Sequence, residues 1–144
     1  MAGLFDLSVV DRLERLLSTL ARNLDAVPAT PFLHDTTTKN VIVTARGMLS
    51  GIVDVDSLCF GDPRYVAALT TVALRAHDLP AGYSGHLMKA AGWDDDHLFR
   101  LYIATFVLDF MSEHGQSFND NERASSPEER AKLLALYETS LADL

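Results

Sequence analysis

The chain is short of cysteine, of lysine and of long apolar runs, and each shortage narrows what it can be. Cys59 is the single cysteine. An intrachain disulfide is therefore excluded, and a reducing cytoplasm is the expected location. The three lysines (Lys39, Lys89, Lys132) and nine arginines are scattered, and the net charge is −8. Nucleic-acid affinity is dominated by clustered Lys and Arg, so the balance argues against a phosphate-backbone binder. A cationic small molecule, or an anion bridged by a metal, suits that balance better. No stretch reaches 18 uninterrupted apolar residues, so no membrane span is expected. The start, Met1-Ala-Gly-Leu-Phe-Asp6, has neither the basic end nor the apolar centre of a signal peptide. Before Gly47 the only glycine is Gly3, which leaves no glycine-rich loop there, and no lysine precedes Lys39. A Gly-x-Ser-x-Gly elbow is also absent, against a serine hydrolase.

What is present fits one globular domain over residues 1–144, with 48% hydrophobic and 22% charged residues. Val9/Val10, Leu13, Leu16/Leu17, Leu20 and Leu24 recur at 3.6-residue spacing, which predicts an amphipathic helix over 7–26 with Ser8 as N-cap. The prolines of Val27-Pro-Ala-Thr-Pro31 end it. Residues 32–40 read as a loop. Asn40-Val-Ile-Val-Thr44 and Leu49-Ser-Gly-Ile-Val-Asp54 flank a turn containing Gly47, which predicts a hairpin over 40–54. No other β structure is expected. Residues 62–141 read as helices: Asp62-Pro63 starts the first, Gly82 to Ala91 forms a shorter one broken by Gly92, and Asp94 to Ser112 is the most apolar. Ser126-Pro-Glu-Glu129 is a capping box opening the last. The expected fold class is mainly α with one small β-hairpin.

Most of the chemistry-bearing residues have plain structural readings. Phe99, Tyr102, Phe106 and Phe110 are core spacing. Asp94-Asp-Asp-His97 complements a helix dipole. Asp54-Val-Asp56-Ser57 fails as a calcium loop, because its sixth position is Cys59 rather than glycine. Asp56 reads as a solvated acid. His34-Asp35 lacks the upstream histidines a metal phosphohydrolase needs. The pattern that stands out is Asp35, Asn40 five residues later, and Asp54 closing the hairpin. Taken alone, Asp35-Thr-Thr-Thr-Lys-Asn40 is turn chemistry. Beside a hairpin that ends in Asp54, it gathers hard oxygen donors of the kind Mg²⁺ takes.

These residues resemble the aminoglycoside phosphotransferase and choline kinase family, of protein-kinase-like fold. The resemblance runs from Phe32 to about Ala68 and rests on three elements in order: Asp35…Asn40-Val-Ile-Val, Gly51-Ile-Val-Asp54 and Gly61-Asp-Pro63. It implies that Asp35 positions or deprotonates an acceptor hydroxyl, and that Asn40 and Asp54 hold Mg²⁺ against ATP phosphates. It also implies that Asp62 supports the site structurally, capping its helix and bracing the catalytic loop. Relatives often carry His two residues before the catalytic Asp; that position here is Leu33, with His34 adjacent. The family's phosphate-anchoring Lys belongs before the catalytic Asp. Residues 1–34 offer none and are committed to a helix, so the expectation is a C-terminal lobe without its nucleotide lobe.

Two functions follow as expectations. One is an ATP- and Mg²⁺-dependent phosphotransferase acting on a hydroxyl of a small, cationic substrate, present as a C-terminal portion. The alternative is a truncated, catalytically silent kinase-like module that binds a ligand or partner. In either case the surface a nucleotide lobe would cover predicts homo-association or a domain swap.

Overall fold

The computed structural model describes residues 4–34, 40–116, 125–142 and 144. Helix α1 (Ser8–Asp25) forms where the apolar stripe predicts it, burying Val9 and Leu13 and laying Leu16, Leu20 and Leu24 against the core. Ser8 is its first residue rather than its N-cap, which is Leu7, and the Asp6 carboxylate accepts the Ser8 N–H at 2.8 Å. That bond holds the Asp6 carboxyl below its ordinary range, and an anion at this end also complements the helix dipole.

After α1 the chain departs from the expected single hairpin. Strand β1 (Thr30–Leu33) takes Phe32 and Leu33 out of the predicted loop and pairs antiparallel with β4 (Leu58–Gly61). Thr30 faces Gly61 and Leu33 faces Leu58. The described residues thus hold two two-stranded antiparallel sheets, the second being β2 (Val41–Val43) with β3 (Leu49–Ile52). Pro31 lies in β1, where a two-stranded ladder always leaves an outer edge that needs no N–H.

The β2–β3 hairpin turns where Gly47, at φ 76°, takes the left-handed conformation that favours glycine. Thr44 N–H donates to the Met48 carbonyl at 2.8 Å, and Gly47 N–H to the Thr44 carbonyl at 2.9 Å. Within the ladder Ile42 faces Gly51 and Val43 faces Leu49, which leaves Ser50 as a bulge. A 3₁₀ turn over Val55–Ser57 leads into β4.

Four helices complete the fold: α2 (Arg64–Ala76), α3 (Gly82–Ala91), α4 (His97–Glu113) and α5 (Pro127–Leu141). Gly92, at φ 68°, ends α3 in a left-handed cap. The start of α4 lies later than Asp94, because Asp96 is the residue whose carboxylate accepts the Phe99 N–H, at 3.0 Å. Ser126 caps α5 by accepting the Glu129 N–H at 3.1 Å. Helix α4 packs against α1, α2 and α5 and is buried on several faces, through Leu101, Phe106, Val107 and Met111 among others. Fully buried Tyr137 on α5 donates its hydroxyl to the Val9 carbonyl at 2.5 Å, which fixes the start of α1 onto the last helix. Among the described residues no helix is long and apolar enough to cross a membrane.

Truncation at the centre of α4 should be felt most. Leu101→Ala is expected to cost about 3 kcal/mol through lost burial and the cavity left behind. Leu134→Ala, at a half-exposed position on α5, should stay within about 0.5 kcal/mol. Urea unfolding midpoints of the two variants test that ordering.

Candidate functional site

The hairpin brings two of the predicted site residues to one end. Asn40 is buried just before β2, and its carbonyl accepts the Val53 N–H at 2.9 Å. Asp54 follows Val53 directly, so both residues lie at the hairpin's open end. Asp54 is exposed and sits at φ 57°, ψ 54°, in the left-handed region. A residue with a Cβ adopts that conformation at a cost on the order of 1 kcal/mol, and such residues concentrate where function requires them. Asp56 lies two residues on in the 3₁₀ turn and is also exposed. Asp35 itself lies outside the described residues. The strand leading toward it is held: His34 N–H donates to the Ser57 carbonyl at 3.0 Å.

Asp62 is placed elsewhere and does a different job. Its carboxylate, only 8% exposed, accepts the backbone N–H of Arg64 at 3.0 Å, so it serves the start of α2 across Pro63. The same carboxylate receives the Arg64 guanidinium, Nε at 3.0 Å from both oxygens and Nη2 at 2.7 Å from Oδ2. Tyr102 on α4 adds its hydroxyl to Oδ2 at 3.2 Å. From the other side, Nη1 of Arg64 reaches Asp96 at 2.8 Å and the Asp94 carbonyl at 3.3 Å. One carboxylate therefore ties β4, α2 and the start of α4 together.

The charges respond as this geometry requires. The hydrogen bonds it donates to Asp62 hold the Arg64 guanidinium even more firmly protonated than usual. Burial pushes the Tyr102 phenol upward, and the Asp62 negative charge pushes it further. For Asp96, partial burial acts upward, but the Arg64 guanidinium and the Phe99 N–H outweigh it and hold the carboxyl below its ordinary range.

Beside this network Tyr65 acts as a hub. Its ring lies 4.4 Å from Phe106 and 5.7 Å from Tyr102, centroid to centroid, and on its other flank 5.7 Å from His34 and 6.4 Å from Phe32. The strand entering the predicted catalytic loop is thus packed onto the central helix through one aromatic side chain. Such rings contribute about 0.5–1.5 kcal/mol per pair beyond the area they bury.

No family model, no curated protein and no solved structure matches the chain. What the site does is therefore argued from its own residues. Asn40 and Asp54 supply hard oxygen donors, the type Mg²⁺ takes when it keeps several waters and shares its shell with phosphates. Among the described residues no three His, Cys, Asp or Glu side chains gather into a metal site. An ion held there would rest on Asn40 and Asp54 with further ligands from outside these residues. The larger clefts lie away from this point. One of about 520 Å³ between α2, α3, α4 and α5 carries Arg75, Lys89 and Arg100. Another, of about 560 Å³ at the far end of α2, carries Asp78, Glu113 and Glu129. Neither is lined by Asn40 or Asp54.

Sequence reasoning placed Asp62 at the helix start but missed Arg64, Tyr65, Tyr102 and Asp96. The signal available was the arginine two residues after an acid that a proline had already marked as buried at a helix start.

Removing one partner from a buried pair leaves the other uncompensated. Arg64→Ala is expected to lower stability by about 3 kcal/mol, and Tyr102→Phe by about 1 kcal/mol through its lost hydrogen bond. The alkaline limb follows from the phenols. A phenol raised in the folded state keeps its proton longer than in the unfolded chain. Its stabilisation is complete below the unfolded value of 10 and is lost as pH rises beyond it. Tyr102→Phe should flatten that decline without abolishing it, because Tyr65 and Tyr137 are raised too. Denaturant titrations between neutral pH and the alkaline limb read both effects.

Proposed function

We propose that this chain carries the metal- and acceptor-handling half of an ATP- and Mg²⁺-dependent small-molecule phosphotransferase, similar in architecture to the C-terminal lobe of the aminoglycoside phosphotransferase and choline kinase group. The observation that carries the reading is the open end of the β2–β3 hairpin. Asn40 and Asp54 both lie there, Asp54 in a left-handed conformation, and His34 on the adjoining sheet is bonded to Ser57 just beyond it. In this reading Asn40 and Asp54 would hold Mg²⁺, and Asp35 would orient the acceptor hydroxyl and take its proton. When bound, the ion neutralises charge on the transferring phosphoryl group. The chain's own share is placement: Tyr65 and the Asp62–Arg64 pair hold the catalytic loop's approach and the helix start beneath it. A net charge of −8 favours a cationic acceptor of the aminoglycoside or choline type.

A second reading, a catalytically silent kinase-like module, draws on a different observation. No lysine stands before Lys39, so the strand-borne cation that anchors ATP phosphates in such enzymes has no candidate ahead of Asp35 in these 144 residues.

Titration calorimetry with Mg²⁺-ATP separates the two. The phosphotransferase reading expects binding that requires Mg²⁺ and weakens at least about tenfold in Asp54→Ala, a loss of roughly 1.4 kcal/mol. Absence of any heat at millimolar nucleotide would remove the enzyme reading for this chain.

A further inference from the structure

We infer that two copies of this chain associate through the β2–β3 hairpin, stacked face to face with their strands antiparallel about a two-fold axis. The inference rests on the surface of the hairpin and not on nucleotide chemistry, and in the dimer a second copy's Arg46 would occupy the Asp54 that the phosphotransferase reading gives to Mg²⁺, so Mg²⁺ and association would compete.

The bulge builds the face. In an antiparallel ladder, residues directly opposite one another share a face, and successive residues alternate. Val41 faces Ile52 and Val43 faces Leu49. Leu49 and Ile52 are three residues apart, and a regular strand would send them to opposite sides. The extra residue, Ser50, restores the phase, so Val41, Val43, Leu49 and Ile52 come to lie together. Three of the four are exposed, Val43 at 58%, Leu49 at 65% and Ile52 at 42%, while Val41 is half-buried.

This is also where the chain leaves most of its apolar surface in water. Of the fourteen exposed large hydrophobic side chains among the described residues, nine fall between Ile42 and Phe60. Val43, Leu49 and Ile52 of the proposed face are among them, a smaller patch than the roughly 800 Å² a standard interface takes from one partner. The nine do not all share one face, which places the expected complex among weak, exchanging ones.

Charge selects both the partner and its orientation. From β2 to the 3₁₀ turn the charged residues are Arg46 in the turn and Asp54 and Asp56 at the open end. The hairpin is therefore positive at its tip and negative at its base. A parallel arrangement would set like charges against each other. The antiparallel one places Arg46 of each copy over Asp54 and Asp56 of the other, an isologous contact formed twice. Arg46 lies three residues beyond Val43 and Asp54 two beyond Ile52, so the charges flank the apolar face almost symmetrically.

Sedimentation equilibrium of the 144-residue chain from roughly 1 to 300 µM tests this, with a dissociation constant expected on the order of 10 µM. Leu49→Lys and Arg46→Glu should each weaken the dimer at least tenfold. Both positions are exposed, so thermal unfolding should be unchanged at low concentration. Asp54→Lys with Asp56→Lys should weaken it similarly, and adding Arg46→Glu to that pair should restore it. A monomer throughout the range overturns the inference, as does association indifferent to Leu49→Lys and Arg46→Glu.

Discussion

The Asp62 carboxylate is the point on which the arrangement of elements depends. Buried at the junction of β4 and α2, it pairs with the Arg64 guanidinium and accepts the Tyr102 hydroxyl. Against well-packed apolar residues such a pair gains little net stability; its effect is to make other arrangements expensive. If α4 slid by one turn, the Tyr102 hydroxyl would leave Asp62, and Asp96 would leave Arg64. The polar cluster therefore sets the register of α4 relative to α2, while the apolar core below supplies the driving force.

Tyr65 extends that register outward. It lies one residue beyond Arg64, so whatever fixes Arg64 also fixes the ring. The ring packs on Phe106 and Tyr102 from α4 on one flank and on Phe32 and His34 on the other. The position of β1 is thus tied to the helical core through this ring as well as through its ladder with β4. A sheet of two short strands is marginal alone and needs such support.

How much of this was legible in the sequence depended on how local the cause was. The start of α5 could be read because Ser126 and Pro127 act within one turn, and the end of α3 because Gly92 alone supplies the left-handed cap. The β1–β4 ladder was hidden. Thr30-Pro-Phe-Leu33 is short, contains a proline, and pairs with residues 25 to 31 positions away, so nothing local announces it. Asp96 was hidden among three consecutive aspartates, any of which suits a helix start until a guanidinium chooses one. For the candidate site the spacing of Asn40 and Asp54 was visible, and so was the hairpin that joins them. The left-handed backbone of Asp54 and the bulge at Ser50 were not, because each is a property of the ladder's register rather than of residue type.

The helices and the hairpin follow different logic. Within the helices α1 to α5 periodicity and burial agree, although Asp78, between α2 and α3, shares the left-handed backbone of Asp54. Between Asn40 and Phe60 they conflict: an aspartate takes a glycine-like conformation, a bulge gathers aliphatic side chains on a solvated face, and Phe60 is bare. None of these stabilises the chain as it stands, and an exposed apolar face carries an aggregation risk that the −8 net charge only partly offsets. Local violations of this kind persist where something other than folding requires them. Their concentration in about twenty residues sets the hairpin apart from the helical body that supports it.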